Sequence, residues 1–320
     1  EHGFRGNADA GEQVGDFTDA GTGIPVVSLY GNKKKPSDED LQDVEIVIFD
    51  IQDVGARFYT YISTMHYVME ACAENEVEFL VLDRPNPNGY YVDGPVLDPK
   101  FSSFIGMHPV PVVHGMTIAE YAGMINGEGW LKDSVRCDLH CITCDNYTHD
   151  MQYDLPVKPS PNLPNSRAVK LYPSLCFFEG TELSVGRGTD MQFQVIGHPA
   201  YTKSDPEGFS FVPMPNEGAK NPVLQGKTCR GFDLRSEEEV FGNENREINI
   251  NFILYAYEQF PDKKKFFRND NLFSLLAGSE LLKKQIVEGK TDEEIRATWK
   301  DGLDKFRNIR KKYLLYPDFE

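Results

Sequence analysis

The first six residues of the chain place three kinds of chemistry close together. Glu1, His2 and Arg5 supply a carboxylate, an imidazole and a guanidinium, and Gly3 and Gly6 punctuate the segment. Because glycine allows sharp turns and a close approach to a ligand, this pattern predicts a loop that presents polar side chains to a cleft. The alternative is a solvated terminus whose charges have no role.

Further polar residues follow apolar runs that are predicted to be strands. The runs 25–29, 44–51 and 77–82 are rich in β-branched residues and alternate with helical patterns, which predicts parallel β-α-β units. Ligands of such sheets bind at the carboxyl ends of the strands, where the loops diverge. The polar residues that follow these runs, or the further run 110–113, are Asp50, Asp53, Asp83, Asn86 and His114. We expect these loops to converge on one site.

Each of these residues also has a purely structural interpretation. Asp50 or Asp53 could cap the helix that begins near Tyr59, and residues 83–89 could form a plain turn. His114 could be a hydrogen-bonded core histidine. Glu120 is excluded from the site, because it stands at capping-box spacing from Thr117.

The organisation of the chain indicates two domains. Ile62, Met65, Met69 and Cys72 fall on one helical face, and 135–142 is a further strand candidate. Four prolines between residues 154 and 165 interrupt any regular element and mark a boundary. We predict an α/β fold, with a Rossmann-like parallel-sheet domain over 1–153 and a mixed α/β domain over 154–320. The last helix of the second domain should begin at residue 291.

The net charge of the chain argues against some classes of binding partner. The 320 residues contain 33 Lys and Arg against 50 Asp and Glu, a net charge of −17 that repels nucleic acid and anionic lipid at long range. No apolar run is long enough to span a bilayer. A small anionic sugar remains a candidate ligand, because a few arginines act strongly at contact distance.

Four blocks of sequence carry a resemblance to a known family: residues 1–6, 49–61, 83–89 and 172–189. They resemble the NamZ (YbbC-like) family of exo-acting β-N-acetylmuramidases of peptidoglycan recycling, and the resemblance extends to residues 313–316. It implies a substrate that is a peptidoglycan-derived muramyl saccharide, and a periplasmic or other extracytoplasmic location. In that family a strand and further residues precede the first motif, so we expect this sequence to begin inside a longer one.

The resemblance also implies a catalytic group. Glycosidic cleavage needs a proton donor and a second group that stabilises an oxocarbenium-like state. Glu1 matches the family's catalytic glutamate and is the candidate acid, with His2 or Arg5 tuning it or touching substrate. Asp53 and Glu179 are candidates for the second catalytic group, Asp50 and Glu182 are also eligible, and the acetamido group of the substrate is a further alternative.

Recognition of the lactyl carboxylate of N-acetylmuramic acid calls for a cationic fork, for which Arg57 and Arg187 are the candidates. For either arginine a structural salt bridge is the alternative. The full set of expected substrate contacts is His2, Arg5, Asp50, Arg57, Tyr59, Asp83, Asn86, His114, Glu182, Arg187 and Thr189. We expect no metal and no organic cofactor, because acid catalysis and arginine recognition suffice.

Two other classes of protein stay open. One is a carbohydrate-binding protein that has this cleft but no turnover. The other is a radical-SAM enzyme, since Cys137, Cys141 and Cys144 have a C-x3-C-x2-C spacing that can hold an iron–sulfur cluster. We discount it because the motif lies near mid-chain and its residues alternate as in a buried strand. A zinc site at these cysteines with His140 or His149 is a weak alternative, and no nucleotide-binding glycine motif is present.

Overall fold

The computed structural model describes residues 14–235 and 246–320. Its strands are β1 (Phe17–Thr18), β2 (Pro25–Val26), β3 (Ile46–Phe49), β4 (Glu78–Leu82), β5 (Leu139–Ile142), β6 (Val195–His198), β7 (Ser210–Phe211) and β8 (Cys229–Asp233). Its α-helices are α1 (Asp38–Leu41), α2 (Tyr61–Glu74), α3 (Ile118–Gly127), α4 (Ser166–Leu175), α5 (Asn251–Gln259), α6 (Leu272–Ala277), α7 (Leu281–Val287), α8 (Asp292–Ala297) and α9 (Lys300–Arg310). None of the helices in these two ranges is long and apolar enough to cross a membrane.

A parallel sheet organises the first half of the chain. Its strand order is β3-β4-β5, and helices α2 and α3 make the two crossovers between parallel neighbours. A separate antiparallel sheet, of order β6-β8-β7, lies in the second half. The predicted fold class, a Rossmann-like parallel sheet followed by a mixed α/β part, is therefore confirmed.

The two crossover helices form because of an apolar face in α2 and a capping box in α3. The four apolar side chains predicted on one face of α2 are all buried: Ile62, Met65, Met69 and Cys72. Helix α3 starts with a capping box, in which Thr117 Oγ1 accepts from the Glu120 backbone and the Glu120 carboxylate accepts from the Thr117 backbone. These helices fix where the loops after β3 and β4 leave the sheet.

The two faces of the parallel sheet differ. Phe79 and Val81 of β4 are fully buried beneath the crossover helices. On the opposite face, Ile46 and Ile48 of β3 and Ile142 of β5 are between 39% and 57% exposed in the described part of the chain. Parallel sheets are usually buried on both faces. Within the described residues, this sheet is covered on one face.

Two predicted strands are corrected by the structure. The run 25–29 gives only the short strand β2, which pairs antiparallel with β1 and is not part of the parallel sheet. The run 110–113 is not a strand, although Val113 makes isolated bridges to Ala56 and Asp93. Its carbonyl groups are occupied elsewhere, because Val110 and Val112 both accept hydrogen bonds from Arg57.

The carboxyl-terminal helical region begins as predicted and then breaks. Thr291 caps α8, with Glu294 completing the capping box. The apolar side chains that follow at helical spacing are buried, but they are divided between two helices. Ile295 lies on α8, Trp299 caps α9, and Leu303 lies on α9. The prediction of one continuous helix is therefore wrong.

The interior of the fold contains a guanidinium group that joins distant parts of the chain. Arg57 is 0% exposed, and its Nη1 donates to the carbonyls of Pro95 and Val110 at 2.8 and 2.7 Å. Its Nη2 donates to Leu276 O at 2.8 Å. Burial lowers the pKa of Arg57 to about 10. Arg57 thus connects residues 95 and 110 to α6 through its Nη1 and Nη2 groups, which donate to backbone carbonyls.

Replacing Arg57 with methionine should strongly destabilise the fold. The substitution keeps much of the volume but leaves three buried carbonyl oxygens without this donor, and each such loss costs about 1–3 kcal/mol. We expect the free energy of unfolding, measured with urea, to fall by about 3–5 kcal/mol. The matched control is Arg84→Met, since the exposed pair of Arg84 with Asp50 should contribute less than about 1 kcal/mol. Equal losses in the two variants would contradict this role for Arg57.

Candidate functional site

A cavity of about 150 Å³ lies where residues from the two halves of the chain meet. It contains three of the side chains that the sequence selected, Tyr59, Glu179 and Arg187. The complete lining is Tyr30, Phe58, Tyr59, Thr60, Ile105, Ser160, Asn162, Leu163, Tyr172, Glu179, Arg187 and Phe193. We call this cavity the Arg187 pocket.

An ion pair forms the polar wall of the Arg187 pocket. Arg187 Nε donates to Glu179 Oε1 at 2.5 Å, and the guanidinium stacks over the Phe193 ring with 5.0 Å to its centroid. The two charged side chains stay partly accessible, at 23% and 27%. Burial works against the charge of Arg187, but Glu179 outweighs it and raises the pKa of the guanidinium. Among the described residues, Nη1 and Nη2 of Arg187 have no hydrogen-bond partner.

The loop that carries Arg187 is fixed by its own backbone. Gly186 and Gly188 have φ of +82° and +78°, a region that favours glycine, and a Cβ at Gly188 would lie 2.6 Å from Met214 O. Thr189 Oγ1 donates to Gly186 O at 2.7 Å and accepts from Met191 N at 2.9 Å. Thr189, a predicted substrate contact, therefore closes this loop and holds Arg187 in place.

Two segments of the chain form the other part of the Arg187 pocket lining. Tyr59 packs edge-on to Tyr172, and its hydroxyl donates to Pro159 O at 2.7 Å. Pro159 belongs to the proline-rich segment that was predicted to be a domain boundary. That segment supplies Ser160, Asn162 and Leu163 to the pocket, and these residues were missed. Prolines rigidify a backbone, so a polar residue between them was the signal that could have identified Asn162.

Asp53 and His114 form a buried pair outside the Arg187 pocket. Asp53 is 5% exposed and His114 is 1% exposed, with 3.8 Å between Asp53 Oδ2 and His114 Nε2. Asp53 Oδ2 also accepts from Gly55 N at 2.6 Å, and His114 Nδ1 accepts from Met116 N at 3.3 Å. Burial raises the pKa of Asp53 to about 7 and lowers the pKa of His114 to about 3. This pair links the loop after β3 to the segment before α3.

The Asp53→Asn variant should change how stability depends on pH. From about pH 4 to 6.5 native Asp53 holds a proton that the unfolded chain has released, so this group makes stability fall as pH rises. Native His114 lacks a proton that the unfolded chain binds, so it makes stability rise with pH, and the two slopes cancel. In Asp53→Asn only the His114 slope remains. Its free energy of unfolding in urea should gain up to about 1.4 kcal/mol per pH unit relative to wild type. Parallel pH profiles for the two proteins would refute this assignment.

The remaining predicted aspartates after β3 and β4, Asp50 and Asp83, are bonded to other parts of the fold. Asp50 accepts two bonds from Arg84, and both side chains are exposed. Asp83 accepts from Ala119 N at the start of α3 and from the hydroxyl of Tyr316. Asp83 thus ties the end of β4 to the first turn of α3, and the convergence of these loops on one site stays a prediction.

Asn86 takes part in the closest packing of this edge. It is 2% exposed and donates to Met116 O at 2.8 Å, while its Oδ1 accepts from Asn88 N. Gly55 has a φ of +76°, and a Cβ there would lie 2.3 Å from the Asn86 side-chain oxygen. Asn86 and Gly55 thus lock two loops of the sheet edge together. The hydrogen bonds of the Asn86 side chain therefore hold this edge of the sheet together.

Five predicted residues remain to be placed. Glu1, His2 and Arg5 lie outside the described residues, so the structure does not address their predicted roles. Glu182 is exposed, but it lines a different cavity from the Arg187 pocket. Arg57 is fully buried and bonded to three carbonyls, whereas Arg187 lines the Arg187 pocket.

The cysteine motif has the surroundings of a core strand. Cys141 lies on β5 opposite Val81, and Cys144 Sγ donates to Asp83 O at 3.2 Å. Burial raises the pKa of Cys137 to about 12 and that of Cys141 to about 11, which disfavours the thiolates that bind metals. Across residues 14–235 and 246–320, no group of His, Cys, Asp and Glu side chains has the geometry to hold a metal ion.

Comparisons with known proteins place the chain in a family. The family model for the N-terminal domain of the exo-beta-N-acetylmuramidase NamZ matches residues 1–167, and the model for its C-terminal domain matches residues 170–316. The peptidoglycan beta-N-acetylmuramidase NamZ of Bacillus subtilis (strain 168) is 39% identical over 330 residues, which cover 99% of this chain and 78% of that protein.

Two crystal structures of DUF1343 family proteins from Bacteroides fragilis NCTC 9343 have the same fold. One is 48% identical with a TM-score of 0.86 and covers 94% of this chain and 82% of its own. The other is 28% identical with a TM-score of 0.81 and covers 93% of this chain and 82% of its own. With both halves of the sequence matched by the family models, the chain belongs to the exo-beta-N-acetylmuramidase NamZ family.

Proposed function

We propose that this chain is a glycoside hydrolase, an exo-β-N-acetylmuramidase that releases N-acetylmuramic acid from the non-reducing ends of peptidoglycan fragments. Family membership over nearly the whole chain supports the activity. The substrate is a muramyl saccharide derived from peptidoglycan. Since peptidoglycan lies outside the cytoplasmic membrane, we infer a periplasmic or other extracytoplasmic location.

The observation that carries this proposal is the state of Arg187. Its Nε is bound by Glu179, which orients the plane of the guanidinium, while Nη1 and Nη2 point to no partner among the described residues. Two parallel N–H donors match the two oxygens of a carboxylate. N-acetylmuramic acid differs from N-acetylglucosamine by such a group, the lactyl carboxylate. Arg187 is therefore the residue that selects the muramyl sugar.

We propose two catalytic groups, Glu179 and Glu1. Glu179 is ion-paired with Arg187 and carries negative charge, so its role is to stabilise the positive charge that develops on the sugar ring. The proton for the leaving oxygen must come from another group, and Glu1 of the family motif is the candidate. Asp53 is 5% exposed and positions the loop after β3, so it is not our candidate for direct contact with the substrate.

Aromatic side chains supply the remaining features of a sugar site. Tyr59, Tyr172 and Phe193 give the Arg187 pocket an apolar wall, and Asn162 adds an amide whose Oδ1 has no partner within the described ranges. A few polar groups on an apolar wall are typical of small-ligand sites. The lining comes from both predicted domains, 1–153 and 154–320, so we propose that the substrate binds between them.

A direct assay tests this function. The purified chain is incubated with a 4-nitrophenyl β-N-acetylmuramide and, separately, with peptidoglycan fragments that carry muramic acid at the non-reducing end. We expect release of nitrophenol from the first and of free N-acetylmuramic acid from the second. Binding of these sugars without any release would instead identify a carbohydrate-binding protein, and would overturn the proposed activity.

A further inference from the structure

A second cavity lies in the second half of the chain, apart from the Arg187 pocket. Its volume is about 480 Å³, within the range of about 300–1,000 Å³ that is usual for small-ligand sites. The lining residues are Glu182, His198, Ala200, Phe260, Pro261, Asp262, Lys264, Lys265, Phe267 and Asn269. They share no member with the lining of the Arg187 pocket. We call this second cavity the Lys264 cavity.

The floor of the Lys264 cavity is aromatic and rigid. Phe260 and Phe267 are 4% and 8% exposed, and both rings pack edge-on against the buried ring of Phe266. The backbone is also fixed there, because Glu182 N donates to Phe266 O and Thr181 pairs with Phe267. A preformed apolar floor of this kind accepts the flat apolar side of a ligand without rearrangement.

The polar groups of the cavity include a donor with a defined direction. His198 sits at the end of β6, and its Nδ1 accepts from Ala200 N at 3.0 Å. The neutral ring therefore carries its proton on Nε2. In the described part of the chain Nε2 has no hydrogen-bond partner. Burial lowers the pKa of His198, with Lys227 adding to the shift and Glu182 opposing it, which favours this neutral form.

Of the charged side chains that line the Lys264 cavity, some have an ion-pair partner and some do not. Asp262 is occupied, since it accepts from Lys264 N and lies 3.1 Å from Lys265 Nζ. The Lys264 ammonium and the Glu182 carboxylate have no ion pair or side-chain hydrogen bond among the described residues. Asp262 also acts on the charge of Lys264, but no ion pair between these two side chains forms within 4 Å, so the rim offers an exposed ammonium and an exposed carboxylate beside the apolar floor. A ligand that fits presents a carboxylate to Lys264 and N–H or O–H donors to Glu182.

We propose that the Lys264 cavity is a second ligand site, and that it binds a small molecule with a carboxylate, hydrogen-bond donors and an apolar side. A carboxylated amino sugar and a short acidic peptide both present this chemistry. The site requires no hydrolysis and does not depend on the activity proposed above. Lys264 and His198 Nε2 supply the donors to the carboxylate, and Phe260 and Phe267 supply the packing surface.

Ligand-observed NMR titration tests the proposal in the Arg187→Ala variant, so that the Arg187 pocket contributes little binding. The probes are N-acetylmuramic acid, the dipeptide Ala-Glu, and N-acetylglucosamine, which lacks the carboxylate. We expect at least one carboxylated probe to bind, and Lys264→Ala to weaken it about tenfold. His198→Ala in the same background should also weaken it. The probe that binds more tightly identifies the source of the carboxylate.

Lys311→Ala is the matched control, because it removes one exposed lysine that faces Glu320 elsewhere on the surface. It should leave the affinity unchanged. Unaltered binding in Lys264→Ala, no binding of either carboxylated probe, or equal binding of N-acetylglucosamine would each overturn the second site. Turnover of the nitrophenyl muramide by Lys264→Ala should equal wild type, so failure here is distinguishable from failure of the proposed hydrolase.

Discussion

Arg187→Ala is expected to lower kcat/KM on a β-N-acetylmuramide by about 10²- to 10⁴-fold. The variant removes two donors that would each bond to the lactyl carboxylate, and hydrogen bonds to charged groups are worth about 1.5–3 kcal/mol. The same variant should lose much less activity on the corresponding N-acetylglucosaminide, which has no carboxylate to bind. Steady-state kinetics on the two nitrophenyl glycosides measure this difference.

Two further variants separate specific recognition from general charge. Arg187→Lys keeps the positive charge but cannot form two parallel hydrogen bonds, so its activity should lie between wild type and Arg187→Ala. Arg84→Ala removes an arginine from the exposed pair with Asp50 and should behave as wild type. An equal loss on both glycosides in Arg187→Ala would mean that Arg187 only supports Glu179 and does not select the substrate.

Glu1→Gln is expected to lower kcat by about 10²- to 10⁴-fold, the contribution usual for a general acid. Glutamine is similar in size but has no proton to give to the leaving oxygen. The loss should depend on the leaving group, since a leaving group that departs as a stable anion needs little protonation. Turnover of a natural disaccharide should therefore fall much more than turnover of a dinitrophenyl muramide.

Glu39→Gln, on the exposed surface of α1, is the control for loss of one carboxylate and should retain full activity. An equal effect of Glu1→Gln on both leaving groups would contradict its role as the acid. In that case Glu179 and the acetamido group of the substrate would have to be examined as the groups that assist cleavage. The pH profile of kcat should lose its alkaline limb in Glu1→Gln, because that limb reports the ionisation of the acid.

The parts of the fold set by local patterns were predictable from sequence. The apolar stripe of α2 and the capping boxes of α3 and α8 each depend on residues three or four positions apart, and all of them form. The three strands of the parallel sheet were also predicted from their composition, but composition alone did not separate them from a run that forms no strand. The run 110–113 has the composition of a strand, but its carbonyls bind Arg57, a residue more than fifty positions away.

In the candidate site, too, local sequence patterns were informative and distant contacts were not foreseen. Glu179 and Arg187 were each selected from one glycine-rich segment, but the ion pair between them was not predicted. Arg57 looked equally suitable in the sequence, because residue type alone does not reveal that its donors are used by Leu276 and two other carbonyls. Asn162 was missed because the prolines around it predict only that regular structure is interrupted. They do not reveal that the interrupting segment lines a pocket.

The most direct test of the account is a crystal structure of this chain with N-acetylmuramic acid bound. We predict the sugar in the Arg187 pocket, with its lactyl carboxylate within hydrogen-bond distance of Nη1 and Nη2 of Arg187 and its ring beside Glu179 and Tyr59. A sugar bound in the Arg187 pocket with its carboxylate directed away from Arg187, or a sugar bound only elsewhere on the protein, would contradict the account.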